Sequence, residues 1–181
     1  MRKLQSAALV AALAAATTVG VVAAGTVANA APAVTQAATG SVAANIRVVE
    51  TFLHDVIDEH HGDHAGRYLT ADMQWHGGTV GTVSGRANVA QLFAGVVTSL
   101  PDSHAAIADV FGQGNQVAVR VVVSGTQQGP LLGIPATGRS IHWDGVDMYR
   151  LNGGKISAIW AGDDWTAILF FTGTFKAPWI Q

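Results

Sequence analysis

Asp147 breaks the apolar face of a run that otherwise reads as a sheltered strand. In Ser140 to Leu151, Ile141, Trp143, Gly145, Asp147, Tyr149 and Leu151 share one face, and His142, Asp144, Val146, Met148 and Arg150 share the other. A carboxylate among aromatic and aliphatic neighbours is desolvated or lines a cavity. Its pKa then rises toward the range in which it exchanges protons near neutral pH, so general acid/base catalysis is the chemistry it suits. Trp143, Tyr149 and Trp160 offer flat apolar walls for a ring-shaped ligand, although aromatic residues in strands equally serve as core. The next run, Lys155 to Asp163, places Ile159, Ala161 and Asp163 on one face and so offers a second candidate carboxylate. Asp164 precedes Trp165-Thr166-Ala167-Ile168-Leu169, where its type and position fit a helix N-cap, and a turn or cap role also competes for Asp163. Trp75 and His76, adjacent in a short strand, point to opposite faces. One of them faces any pocket, and alternation over so few residues does not decide which.

Other groups carry less. His54, His60, His61, Asp63 and His64 crowd one segment, with His60 and His64 at the i, i+4 spacing of helical metal ligands. Gly62 interrupts the helix between them, and histidines near a helix C-terminus are favoured by its dipole, so no metal site is expected. Gly77-Gly78, Gly81 and Gly85 lack the strand-to-helix context of a phosphate loop, and no Gly-x-Ser-x-Gly nucleophile elbow is present. The chain has no cysteine, which removes disulfides, thiolate metal sites and cysteine nucleophiles. No cofactor is expected.

Arg2-Lys3, the uncharged Ala/Val-rich run from Ala7 to Val27 and the small-x-small signature Ala28-Asn29-Ala30 read as a signal peptide over residues 1–30, cleaved before Ala31-Pro32. A secreted protein is expected, with no membrane association after cleavage. Residues 31–44 are rich in Ala, Thr, Gly and Pro without periodicity and read as a flexible leader. Residues 45–181 suffice for one domain with a real core. Without Arg2 and Lys3, 8 of the 10 basic residues remain against 12 acidic ones, a net charge of −4 with no basic patch, which argues against nucleic acid as a partner.

The elements follow from periodicity. Ile46, Val49, Phe52, Leu53, Val56 and Ile57 predict a helix over Asn45 to His60, and a helical turn follows around Asp63 to Tyr68. A strand over Asp72 to Gly77 leads to a second helix, Arg86 to Leu100, ended by Pro101. Then the period becomes two. Val117, Val119, Val121 and Val123 form one strongly apolar strand face, flanked by strands over His104 to Phe111, Ser140 to Leu151 and Lys155 to Asp163. Helices first and hairpins after predict an α+β domain whose curved antiparallel sheet wraps around helices on one face, leaving an apolar pocket between the layers.

The order of elements, the His76 strand, Gly125-Thr126-Gln127-Gln128-Gly129, Gly133-Ile134-Pro135-Ala136-Thr137-Gly138-Arg139, Val146-Asp147-Met148-Tyr149-Arg150 and Gly154-Lys155-Ile156 resemble the SnoaL-like polyketide cyclase and ester cyclase family. That family belongs to the nuclear transport factor two-like superfamily, and the resemblance covers about Asn45 to Gly173. It implies a cone-shaped fold, a small-molecule pocket, and sheet-mediated homodimers. It further implies that the Asp147 position looks into the pocket and that His76 matches a histidine common in the first strand. In these cyclases the general acid/base aspartate falls at the position of Ala161, and alanine cannot shuttle a proton. Asp147 or Asp163, with His76, would then carry proton transfer in a cyclase or isomerase, while Trp75, Trp143, Tyr149 and Trp160 would contact the ligand. The alternative is a binding protein that kept the pocket and lost catalysis, a reading that export favours. A third reading is a dimerisation module.

Overall fold

In a computed structural model of the protein, which describes residues 40–176, 178 and 179, the chain enters its first helix at Ser41. The expected signal peptide, its cleavage point and residues 31–39 of the leader lie outside the described residues. The Ser41 side chain accepts from the Ala44 N–H at 3.2 Å, so α1 (Val42–Leu53) starts three residues before Asn45. Its inward stripe buries Val49, Phe52 and Leu53, and a wider π-helical turn, His54–Asp58, extends that stripe with Val56 and Ile57. A 3₁₀ turn (Gly62–His64) and α2 (Ala65–Tyr68) lead into β1 (Leu69–His76).

After β1 the chain makes a 3₁₀ turn (Gly78–Val80), a short hairpin strand β2 (Thr82–Ser84) and α3 (Arg86–Ser99). It then runs through β3 (His104–Gln113), β4 (Gln116–Thr126), β5 (Ser140–Asn152) and β6 (Lys155–Trp160), and ends in α4 (Trp165–Thr172). The six strands form one curved, unclosed sheet in the order β2-β1-β6-β5-β4-β3. The pairing departs from a wholly antiparallel sheet at one seam, because β1 and β6 run parallel. The cause is connectivity. Helix α3 carries the chain to the far edge, and the antiparallel meander from β3 returns β6 beside β1 in the same direction.

The core lies between the concave face and the helices. Val117, Val119, Val121 and Val123 are between 0 and 8% exposed, and the opposite face of β5 carries every exposed position of its strict alternation. Phe52 organises the contact, meeting Phe93 edge-on at 5.0 Å between ring centroids and Tyr68 at 5.7 Å. Phe52, fully buried, contributes about 1.5–3 kcal/mol by leaving water. The convex face carries exposed Phe111, Val146 and Met148. Among the described residues no helix is long and apolar enough to cross a membrane.

Candidate active site

A cavity of about 100 Å³ lies between the concave sheet face and the helices. Leu53 and Ile57 reach it from the first helical segment, Phe93 and Val96 from α3, and Trp165 and Ile168 from α4. Val121, Trp143, Asp147 and Tyr149 line it from the sheet, Trp75 from β1, and Ala161 and Asp163 from the segment after β6.

Asp147 sits where the β5 alternation points its side chain inward, directly across from Val119 on β4. It is 9% exposed. The Gly162 N–H donates to its Oδ1 at 3.1 Å, and the Tyr149 hydroxyl donates to its Oδ2 at 3.4 Å. Burial pushes its pKa up to about 8, with the neighbouring Asp163 charge adding to the rise and the two donors opposing it. The same burial lifts the Tyr149 hydroxyl well above its ordinary value, so it remains a donor.

Asp163 arrives by a different route. Regular pairing of β6 ends at Trp160, yet the chain keeps its register against β5: Met148 lies opposite Trp160, and Gly145 opposite Asp163. Ala161 therefore falls across from Asp147, and Asp163 stands one inward position further on. The Trp143 indole N–H donates to Asp163 Oδ1 at 2.8 Å. Burial raises this pKa to about 6, while the Trp143 bond works against the rise. Gly145 makes the approach feasible. A Cβ there would stand 2.8 Å from Asp163 Oδ1 and 3.6 Å from Asp147 Oδ1, so both carboxylates close on the space its missing side chain leaves.

Five of the seven residues singled out in the sequence thus border one cavity: Trp75, Trp143, Asp147, Tyr149 and Asp163. His76 and Trp160 do not. The alternation of β1 turns Trp75 inward, 5% exposed, and His76 outward. There the His76 ring stacks on Trp160 at 5.4 Å, its Nδ1 lies 3.2 Å from Thr82 Oγ1, and the Arg150 guanidinium lies 4.8 Å over the same indole. A proton-transfer role for His76 and a ligand contact for Trp160 have no path to the cavity across the sheet. Asp164 caps α4, accepting from the Thr166 and Ala167 N–H groups at 3.0 and 3.1 Å. The histidines of the His54–His64 segment do not border the cavity either.

Residues that periodicity does not reveal complete the site. Gln127 is fully buried; its amide donates to the carbonyls of Ile134 and Pro135, both at 3.1 Å, and its Oε1 accepts from the Thr137 hydroxyl at 2.6 Å. The Gly-Ile-Pro-Ala-Thr-Gly motif is therefore a loop folded around one glutamine. That loop sets Leu131 and Leu132 against the cavity, and Leu132 and Val80, 41% and 40% exposed, form an apolar rim. The only legible signal was the pairing of the Gly-Thr-Gln-Gln-Gly and Gly-Ile-Pro segments in one motif.

The chemistry available is that of two carboxyl groups held apart in acidity within one sheltered space. Burial raises both pKa values, so the pair holds a proton to higher pH than ordinary carboxylates do and can both accept and donate one.

Solved structures share this fold. AclR from Streptomyces galilaeus superposes with a TM-score of 0.66 at 20% identity, covering 75% of this chain and 100% of its own. TsrD from Streptomyces laurentii gives 0.65 at 22% identity, covering 74% and 97%. An LEH-like epoxide hydrolase from M. tuberculosis gives 0.60 at 15%, covering 75% and 93%. No curated protein matches the sequence. The model of the family described as SnoaL-like polyketide cyclase matches residues 47–179, which span both carboxylates, the Gln127 loop and the sheet that carries them, and the chain therefore belongs to the SnoaL-like polyketide cyclase family.

Proposed function

We propose that the protein catalyses proton transfer on a small oxygen-bearing organic molecule, as a cyclase or isomerase, with Asp163 as base and Asp147 as acid. The observation that carries this reading is the convergence of the two carboxyl groups on one apolar cavity, with the pKa of Asp147 raised further than that of Asp163. In the step we envisage, the Asp163 carboxylate takes a proton from a carbon beside a carbonyl. The electron pair moves to the carbonyl oxygen, and Asp147 gives that oxygen its proton. The resulting enol attacks a second carbonyl of the same molecule and closes a ring: its O–H proton returns to the Asp147 carboxylate, and the new alkoxide takes the proton held by Asp163. In a β,γ-unsaturated ketone the dienol instead takes the Asp163 proton at its γ-carbon while Asp147 regains its own. Trp143 and Gly162 hold the two carboxylates in place while the charge moves.

Size narrows the substrate. A cavity of about 100 Å³ is below the ~150 Å³ that accommodates benzene, so as it stands it fits a short-chain ketone or keto ester better than a ring-bearing one. A ring-bearing substrate, single or polycyclic, would require the Leu132–Val80 rim to part. Ala161 favours a second reading, a secreted binding protein that uses the same cavity without turnover, because the family's acid/base position is empty of a carboxylate. Exposed Phe111, Val146 and Met148 support a homodimer through the convex face.

The deciding experiment assays wild type, Asp147→Asn and Asp163→Asn against a panel of cyclisable keto esters, isomerisable ketones and epoxides. Epoxides are included because one fold neighbour is an epoxide hydrolase and the same acid–base split suits ring opening by water. Turnover in the wild type, reduced about 100-fold or more in either variant, is the expected result. Equal turnover in all three removes the aspartates from the mechanism. Saturable binding without turnover favours the binding protein.

A further inference from the structure

Away from the cavity, the segment joining the first helix to β1 gathers Asp55, His61 and His64. The π-helical turn presents Asp55, and His60, at φ 60°, turns the backbone back on itself so that His61 returns over it. His61 Nδ1 lies 2.8 Å and His64 Nδ1 3.1 Å from Asp55 Oδ1, with one ligating atom of each residue within 4.8 Å of the others. The Tyr68 hydroxyl donates to Asp55 Oδ2 at 2.6 Å, and Tyr68 is itself packed against Phe52. The carboxylate is thus fixed from the protein side and faces the two imidazoles on the other. The side chains of His61 and His64 are 48% and 21% exposed, open to ions from solvent.

We propose that Asp55, His61 and His64 form a binding site for a divalent first-row transition ion, independent of the cavity and its chemistry. The spacing supports this. Both imidazoles already converge on one carboxylate oxygen, Asp55 Oδ1, at 2.8 and 3.1 Å, and a tetrahedral ion with ligands about 2.1 Å away spaces them about 3.4 Å apart, so each ring needs to move outward by only about half an ångström. Two imidazoles and one carboxylate are a borderline donor set, suited to Zn²⁺, Cu²⁺ or Ni²⁺ rather than to Ca²⁺ or Mg²⁺. On binding, each ring leaves its hydrogen bond to Asp55 with its Nδ1 unprotonated and facing the ion, and water completes the coordination. The Tyr68 bond keeps the carboxylate aimed, as outer partners do in established metal sites. The neighbouring His54–Asp58–His104 contacts, at 3.4 and 3.0 Å, are more exposed, with both histidine side chains 64% exposed, and serve as an internal control.

Untagged protein titrated calorimetrically with Zn²⁺ tests the site. One equivalent should bind, and a hundredfold excess over Kd should raise the unfolding temperature by about 5–10 °C, reversed by EDTA. His61→Gln and His64→Gln, which can keep the hydrogen bond to Asp55, should each weaken binding at least tenfold with an unchanged far-UV circular dichroism spectrum. His104→Gln should bind like wild type. Should a histidine variant misfold, the Cu²⁺ adduct of the wild type still decides: its paramagnetic resonance spectrum should show two coordinated imidazole nitrogens. Failure of the wild type to bind one equivalent, a Cu²⁺ spectrum without two nitrogens, or equal weakening by His104→Gln overturns the proposal.

Discussion

Asp147 and Asp163 carry carboxyl groups that an unfolded chain ionises near pH 4, yet folding moves both into an apolar cavity that disfavours the charge. The consequence for stability has a definite sign. A carboxyl whose pKa is raised by folding binds more protons in the native state, so the stability it allows is fully present below pH ~4 and is lost as pH rises through about 6 for Asp163 and about 8 for Asp147. Asp147→Asn removes the buried charge while keeping the shape. It should stabilise the protein at pH 8 by on the order of a few kcal/mol and change little at pH 4. Thermal unfolding at the two pH values checks this, and equal shifts at both would mean that folding leaves the Asp147 pKa unchanged. The same substitution should abolish proton donation, so stability and activity would move in opposite directions. Gly145→Ala provides the converse case. Its methyl group would meet the Asp163 carboxylate at 2.8 Å and displace it, lowering turnover with both aspartates still present.

At the scale of elements, each part of the site is only as well placed as the strand or loop that bears it. Asp147 was legible because β5 alternates without interruption over thirteen residues, and a single polar residue on its buried face stands out. The orientation of Trp75 and His76 was not, since it depends on β1 being pinned by β2 and β6, pairings that no local pattern encodes. The parallel β1–β6 seam was hidden for the same reason. Asp163 was legible as a residue, but its place depends on register that outlasts the strand itself. The inward face of β4 permits a direct check. Val121→Asp buries an unpaired charge and should unfold the domain or cost several kcal/mol, while Val122→Asp, on the half-buried outer face, should be clearly milder. Gln127→Leu should loosen the Gly133–Gly138 loop by leaving the Ile134 and Pro135 carbonyls without their donor, costing about 1–3 kcal/mol and exposing that loop to proteolysis before the sheet.

For the molecule as a whole, the two faces of the sheet divide the work. The concave face shelters the carboxylates, and the convex face presents Phe111, Val146 and Met148 to solvent. If that face joins two copies, Phe111→Glu should shift sedimentation from dimer to monomer without altering the cavity; a wild type that sediments as a monomer would remove the homodimer proposal. Export would be checked by N-terminal sequencing of protein recovered from the medium, which should begin Ala31-Pro32. The fold holds two carboxyl groups in one sheltered space, where burial raises both pKa values above the ordinary carboxylate range. The most direct test of this needs no substrate: carbon-13 NMR of the aspartate side-chain carboxyls, assigned through Asp147→Asn and Asp163→Asn and followed from acid to alkaline pH. Asp163 should titrate near pH 6 and Asp147 near pH 8, and removing Asp163 should lower the Asp147 midpoint. Both groups titrating below pH 5, each unaffected by loss of the other, would contradict it.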